Sequence, residues 1–131
     1  MVMQAWSSYG VEWPVIYHFL GVRPHISNRE VTVIPNLPPT WPTLSVDNLR
    51  VGNSTLTASA THNGNRYTTV VTAPSGLLIR IGYACPANGS IATVILNGST
   101  ASYEVKDTHR GREVIVTSNS GQPLQLVVAT Q

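Results

Sequence analysis

The stretch Ser54–Val71, STLTASATHNGNRYTTVV, decides how the rest of the chain is read. Leu56, Ala58 and Ala60 alternate with Thr55, Thr57, Ser59 and Thr61, which is the two-residue period of a strand with one face in a core. Asn63-Gly64 then interrupts the pattern, and YTTVV resumes it. Asn-Gly favours positive φ at both central positions of a two-residue hairpin, so the stretch predicts two antiparallel strands with the turn at Asn63-Gly64.

The same device recurs downstream. Asn97-Gly98 separates SIATVIL from TASYEV, and NSGQ separates REVIVTS from QPLQLVVAT. In GLLIRIGY, Leu77, Ile79 and Ile81 face one way while Leu78 and Arg80 face the other. Turns recur every 8 to 12 residues or so, giving about eight strands. The fold class expected is mainly β: an antiparallel β-sandwich preceded by a short N-terminal helix. That helix is placed at PVIYHFLG, with Pro14 at a first helical position, Gly21 as its stop and Pro24 beyond. Between helix and sandwich, Glu30 to Ile34 form a brief strand. Pro35, Pro38, Pro39 and Pro42 then remove backbone donors and make an extended link anchored by Leu37 and Trp41. The organisation expected is residues 1–24 as a helical segment, 25–44 as a proline-rich crossover and 45–131 as the sandwich.

Composition narrows the function classes. With 131 residues, 42% of them hydrophobic, the chain is the size of one domain with a real core. Only 11% are charged, the net charge is +2, and Lys106 is the sole lysine among eight basic residues. Phosphate binding needs a dense Lys/Arg stripe, so nucleic acid is not an expected partner. The longest apolar runs fall short of the roughly 20 residues a membrane helix needs, so no bilayer crossing is expected. Nor does the N-terminus read as a signal peptide, since no basic region precedes its apolar stretch and Glu12 interrupts it. Few lysines beside abundant Ser, Thr, Asn and Gly suit an extracellular or cell-surface β-protein. Cys85 stands alone, which removes an internal disulfide and a cysteine zinc cage; it is read as a buried structural thiol.

No catalytic constellation emerges. Glycoside hydrolysis needs two carboxylates flanking a bond, and the one close pair, Glu104 with Asp107, reads as a solvated strand edge. Glu12, between Tyr9 and Trp13, has apolar neighbours but no second carboxylate nearby. His18, His25, His62 and His109 lack metal-ligand spacing, so no metal and no cofactor are expected. Asn53, Asn88 and Asn97 match glycosylation acceptor motifs, although Asn-Gly turn chemistry accounts for the last two. Aromatic platforms for sugar stacking would fall to Trp41, Tyr67 and Tyr103. The tryptophans Trp6, Trp13 and Trp41, however, all precede the sandwich.

Why a β-protein should open on so apolar a helix is answered by a resemblance. Gln4–Pro24, QAWSSYGVEWPVIYHFLGVRP, resembles the last helix of the (α/α)6 six-hairpin barrel of bacterial glycoside hydrolases of the glycogen-debranching or glucoamylase-like kind. There a Q-x-W-x-x-Y-G-x-x-W-P-V run leads to L-G-V-x-P. Arg29–Gly52 is similar to the crossover that follows that helix, and YTTVV and THRGREVIV resemble strands of the C-terminal β-domain. The resemblance implies that Trp6, Tyr9, Trp13, Val15, Ile16 and Phe19 face a catalytic barrel carried by the same parent chain. It also implies that the catalytic carboxylates lie in barrel segments absent here. Its implied function is a non-catalytic domain that packs against and stabilises the barrel in carbohydrate metabolism, the isolated chain tending to self-associate. The alternative is an independent carbohydrate-binding module, with polysaccharide as partner.

Overall fold

The computed structural model describes residues 12–131. Trp6 and Tyr9, expected at a barrel interface, lie outside them. Eleven strands follow a single helical turn at Pro14–Phe19: β1 (Val22–His25), β2 (Glu30–Val33), β3 (Thr43–Val51), β4 (Ser54–Asn63), β5 (Arg66–Thr72), β6 (Leu78–Cys85), β7 (Ile91–Leu96), β8 (Ser99–Thr100), β9 (Glu104–Thr108), β10 (Gly111–Asn119) and β11 (Leu124–Thr130). They form two sheets, ordered β1-β2-β6-β10-β9 and β3-β4-β5-β11-β7-β8. The mainly-β sandwich expected from the alternation is therefore present, with more strands than the eight expected.

The brief strand expected at Glu30 to Ile34 is present as β2, and among the described residues β1 at Val22–His25 precedes it in the same sheet. β2 runs parallel to β6, from Glu30 opposite Leu78 to Val33 opposite Ile81, so the sheets are not wholly antiparallel. The chain reaches β6 only after building β3, β4 and β5 in the other sheet, a route long enough to bring β6 back in the direction of β2.

Each inner face is the apolar half of the alternation. Val31, Val33, Ile79, Ile81, Val114 and Val116 of one sheet meet Leu56, Ala58, Ala60, Val71, Val94, Leu124, Leu126 and Val128 of the other, all buried in one cluster. Thr69 is a polar residue within this layer, and its Oγ1 donates to the Gly82 carbonyl across the core at 2.7 Å, which satisfies it. In β3 the inward set slips from Leu44 and Val46 to Leu49 and Val51. A bulge between Val46 and Leu49, with Asn48 at φ 54°, inserts the extra residue that restores the phase.

The two Asn-Gly signals resolve differently. Asn97 (φ 48°) and Gly98 (φ 83°) both adopt the left-handed region between Leu96 and Ser99, as a type I′ turn requires. At the first hairpin the turn lies one residue later than expected. Asn63 pairs with Arg66, leaving Gly64-Asn65 as the central residues, with positive φ at Gly64 alone. Glycine first is the type II′ solution, and it adds one more ladder pair.

Among the described residues, no helix is long and apolar enough to cross a membrane.

Candidate functional site

The densest polar arrangement lies where the N-terminal turn meets the β9–β10 hairpin. Arg110, in the tip of that hairpin, has its guanidinium turned inward, with its side chain 1% exposed and that of Glu113 7%. Nη1 donates to Glu113 Oε1 at 3.1 Å, and Nη2 donates to the carbonyls of His18 (2.8 Å) and Ile34 (2.7 Å). Nε is buried without a hydrogen-bond partner among the described residues. The hairpin holds this arginine in place locally. Thr108 Oγ1 accepts the Arg110 backbone N–H at 3.1 Å and lies 3.3 Å from Glu113 Oε1, while Asn36 Nδ2 donates to the Arg110 carbonyl at 2.9 Å. Burial pulls the guanidinium below its ordinary range, an effect Glu113 opposes through its charge and its hydrogen bond.

Backbone bonds complete the junction. Ile34 N–H donates to the Gly21 carbonyl (3.2 Å), Asn36 N–H to Phe19 (2.8 Å) and Ala84 N–H to Pro35 (2.8 Å). Gly21, at φ 63°, packs directly against the Ile34 carbonyl, where no side chain fits. The chain segment 18–36 is thereby fastened to the sandwich through backbone carbonyls, largely independent of which side chains it carries.

What this fastening presents is apolar. Within Pro14–Phe19 no residue is buried, and Trp13 is 55% exposed, its ring stacked on Tyr17 at 4.0 Å. Val15, Ile16 and Phe19 are half-buried, with Ile16 and Phe19 resting against the core. Phe19 meets Trp41 edge-on at 5.2 Å, so the proline-rich segment folds back onto the turn. The structure thus brings Trp13, Val15, Ile16 and Phe19 together on one segment, with Trp41 beside them.

The three residues expected as sugar platforms occupy different settings. Trp41 is 40% exposed and packs on Phe19; Tyr103 is 44% exposed, between β8 and β9. Tyr67 is half-buried, stacked near His62 and tilted against Tyr83 at 4.9 Å. These last three residues help line a cleft of about 310 Å³, together with Leu37, Cys85 and Arg110. His62 Nε2 is buried there without a hydrogen-bond partner among the described residues. Burial raises the Tyr83 hydroxyl well above its ordinary range and pushes the Cys85 thiol up to about 12. Cys85 is accordingly the buried thiol expected, held protonated and unreactive.

That burial has a measurable consequence. Above about pH 8.5 an unfolded cysteine ionises while the folded one does not, so the native state then binds more protons and stability falls as pH rises. We expect Cys85 to resist a thiol reagent in the native protein and react fully in denaturant. Cys85→Ala should flatten part of the alkaline loss of stability. Rapid modification of the native thiol would contradict this.

The carboxylates on the outer strands make ion pairs. Glu104 meets Arg80 at 3.3 Å and Asp107 meets Arg112 at 2.9 Å, both with largely exposed carboxylates, as the solvated-edge reading of that pair anticipated. The Arg112 hydrogen bond holds Asp107 below the usual carboxylate range. Among the described residues, no group of three or more His, Cys, Asp or Glu is placed to hold a metal ion.

Fold and site together define a two-sheet β-sandwich carrying a fastened N-terminal apolar segment. No protein-family model matches the chain, and no curated protein matches it either.

Proposed function

We propose that this chain is a non-catalytic β-sandwich domain that packs against the (α/α)6 barrel of a glycoside hydrolase and stabilises it. The observation that carries this reading is the fastened but only half-covered segment at Trp13–Phe19. Arg110 and Asn36 donate hydrogen bonds to its His18 and Phe19 carbonyls and so tie it to the sandwich, yet none of the residues in its turn is buried and Trp13 is 55% exposed. A segment with that much apolar surface and so fixed a pose is suited to docking a second body, since the cost of ordering it has already been met within the domain. The Gln4–Pro24 resemblance supplies the identity of that body.

The test is the behaviour of the isolated chain. Light scattering should show concentration-dependent self-association, a hydrophobic dye should bind, and Trp13→Ser should weaken both. A monodisperse monomer that ignores the dye would overturn the proposal. Retardation in a polysaccharide gel that Trp41→Ala abolishes would replace it with the carbohydrate-binding reading.

A further inference from the structure

The chain contains three Asn-Gly dipeptides, at Asn63, Asn88 and Asn97. Each is chemically prone to the same reaction, because glycine has no side chain to shield its backbone nitrogen from the preceding asparagine. The fold treats the three differently. Asn97 is held at both ends of its amide: Oδ1 accepts the Gln125 N–H at 2.7 Å and Nδ2 donates to the Pro123 carbonyl at 3.2 Å. At Asn88 the following nitrogen is engaged, since Gly89 N–H donates to the Pro86 carbonyl at 3.0 Å, and Gly89 packs against Thr130. Asn63 and Gly64 are both exposed at the tip of the β4–β5 hairpin, and nothing lies within 4 Å of the Cβ position of Gly64. No side-chain hydrogen bond fixes Asn63 among the described residues.

We infer that Asn63 is the site of spontaneous deamidation in this protein, ahead of Asn88 and Asn97. The Gly64 nitrogen, having given its proton to solvent base, attacks Asn63 Cγ. The new N–Cγ bond forms as the Cγ–Nδ2 bond breaks, and ammonia leaves carrying the proton. Water then opens either C–N bond of the five-membered imide and leaves aspartate or isoaspartate, with no change in oxidation state. The product places a carboxylate opposite Arg66, in the shallow surface pocket that Asn63 lines with Asn65, Arg66, Ala129 and Thr130. Charge in that pocket thus changes with the age of the molecule, whatever partner the domain has.

Peptide mass spectrometry of the intact folded chain, held in mildly alkaline buffer at physiological temperature, tests this. Conversion at Asn63 should run at least several-fold faster than at Asn88 or Asn97. In denaturant the three rates should converge, because the ranking belongs to the fold. Conversion led by Asn88 or Asn97 in the native protein would overturn the inference, as would an identical ranking in the folded and unfolded chain. Asn63→Gln should remove the early product while leaving the slow conversion at the other two unchanged.

Discussion

Arg110→Met is expected to cost about 3–5 kcal/mol in the urea unfolding of this protein, the range for removing one partner of a buried ion pair. Three things fail together. Glu113 is left with its carboxylate buried and its guanidinium gone, and the carbonyls of His18 and Ile34 lose the donor that joins them. The segment they belong to then frays from the sandwich. Replacing both members, Arg110→Met with Glu113→Leu, should recover much of the loss, because two apolar groups of similar volume leave no stranded charge. Arg110→Lys should not rescue it, since one ammonium cannot span Glu113 and two carbonyls in fork geometry. A single variant within about 1 kcal/mol of wild type would place this pair with ordinary surface ion pairs and remove it as the fastening of the N-terminal segment.

A comparable effect is expected from Gly21→Ala, for a different reason. The backbone there sits at φ 63°, where an L-residue costs on the order of 1–2 kcal/mol. The added methyl would also press on the Ile34 carbonyl and stand 3.1 Å from Arg110 Nη2. To relieve it, the Ile34–Gly21 backbone bond or the Arg110 contact must open, so we expect a loss of several kcal/mol. Gly64→Ala is the internal control, because its φ is also positive, at 60°, while its Cβ meets nothing within 4 Å; that variant should lose only the backbone cost of its own turn. Since Gly21 and Arg110 share the Ile34 carbonyl, the double variant should be less destabilised than the two single losses added together. Additive losses would mean that the two residues act at independent places.

Both expectations concern residues whose importance is not visible along the chain. In THRGREVIV, Arg110 looks like one of several arginines beside a turn, and Glu113 like its solvated i+3 neighbour. Their burial depends on carbonyls that lie 92 and 76 residues away, at His18 and Ile34. A backbone carbonyl carries no residue type, so no motif could have announced that arrangement. The nearest available signal was Gly21, read as a helix stop. It serves as that, and it also provides the space the Ile34 carbonyl occupies.

What the sequence determined by itself is the material of the sandwich. The two-residue period in Ser54–Asn63 and Leu78–Ile81 sorted inward from outward residues, and Asn97-Gly98 set a type I′ turn from backbone preference alone. These are local properties, in which a residue's neighbours decide its conformation. The tertiary structure alone decided the rest: that β2 pairs parallel to β6, that β3 needs a bulge to stay in phase, that the first hairpin turns at Gly64-Asn65, and that a buried arginine of the β9–β10 hairpin joins the backbone at His18 and Ile34. Each of these depends on which strands meet and on what must fill or satisfy the space between them, and that information exists only once distant segments have come together.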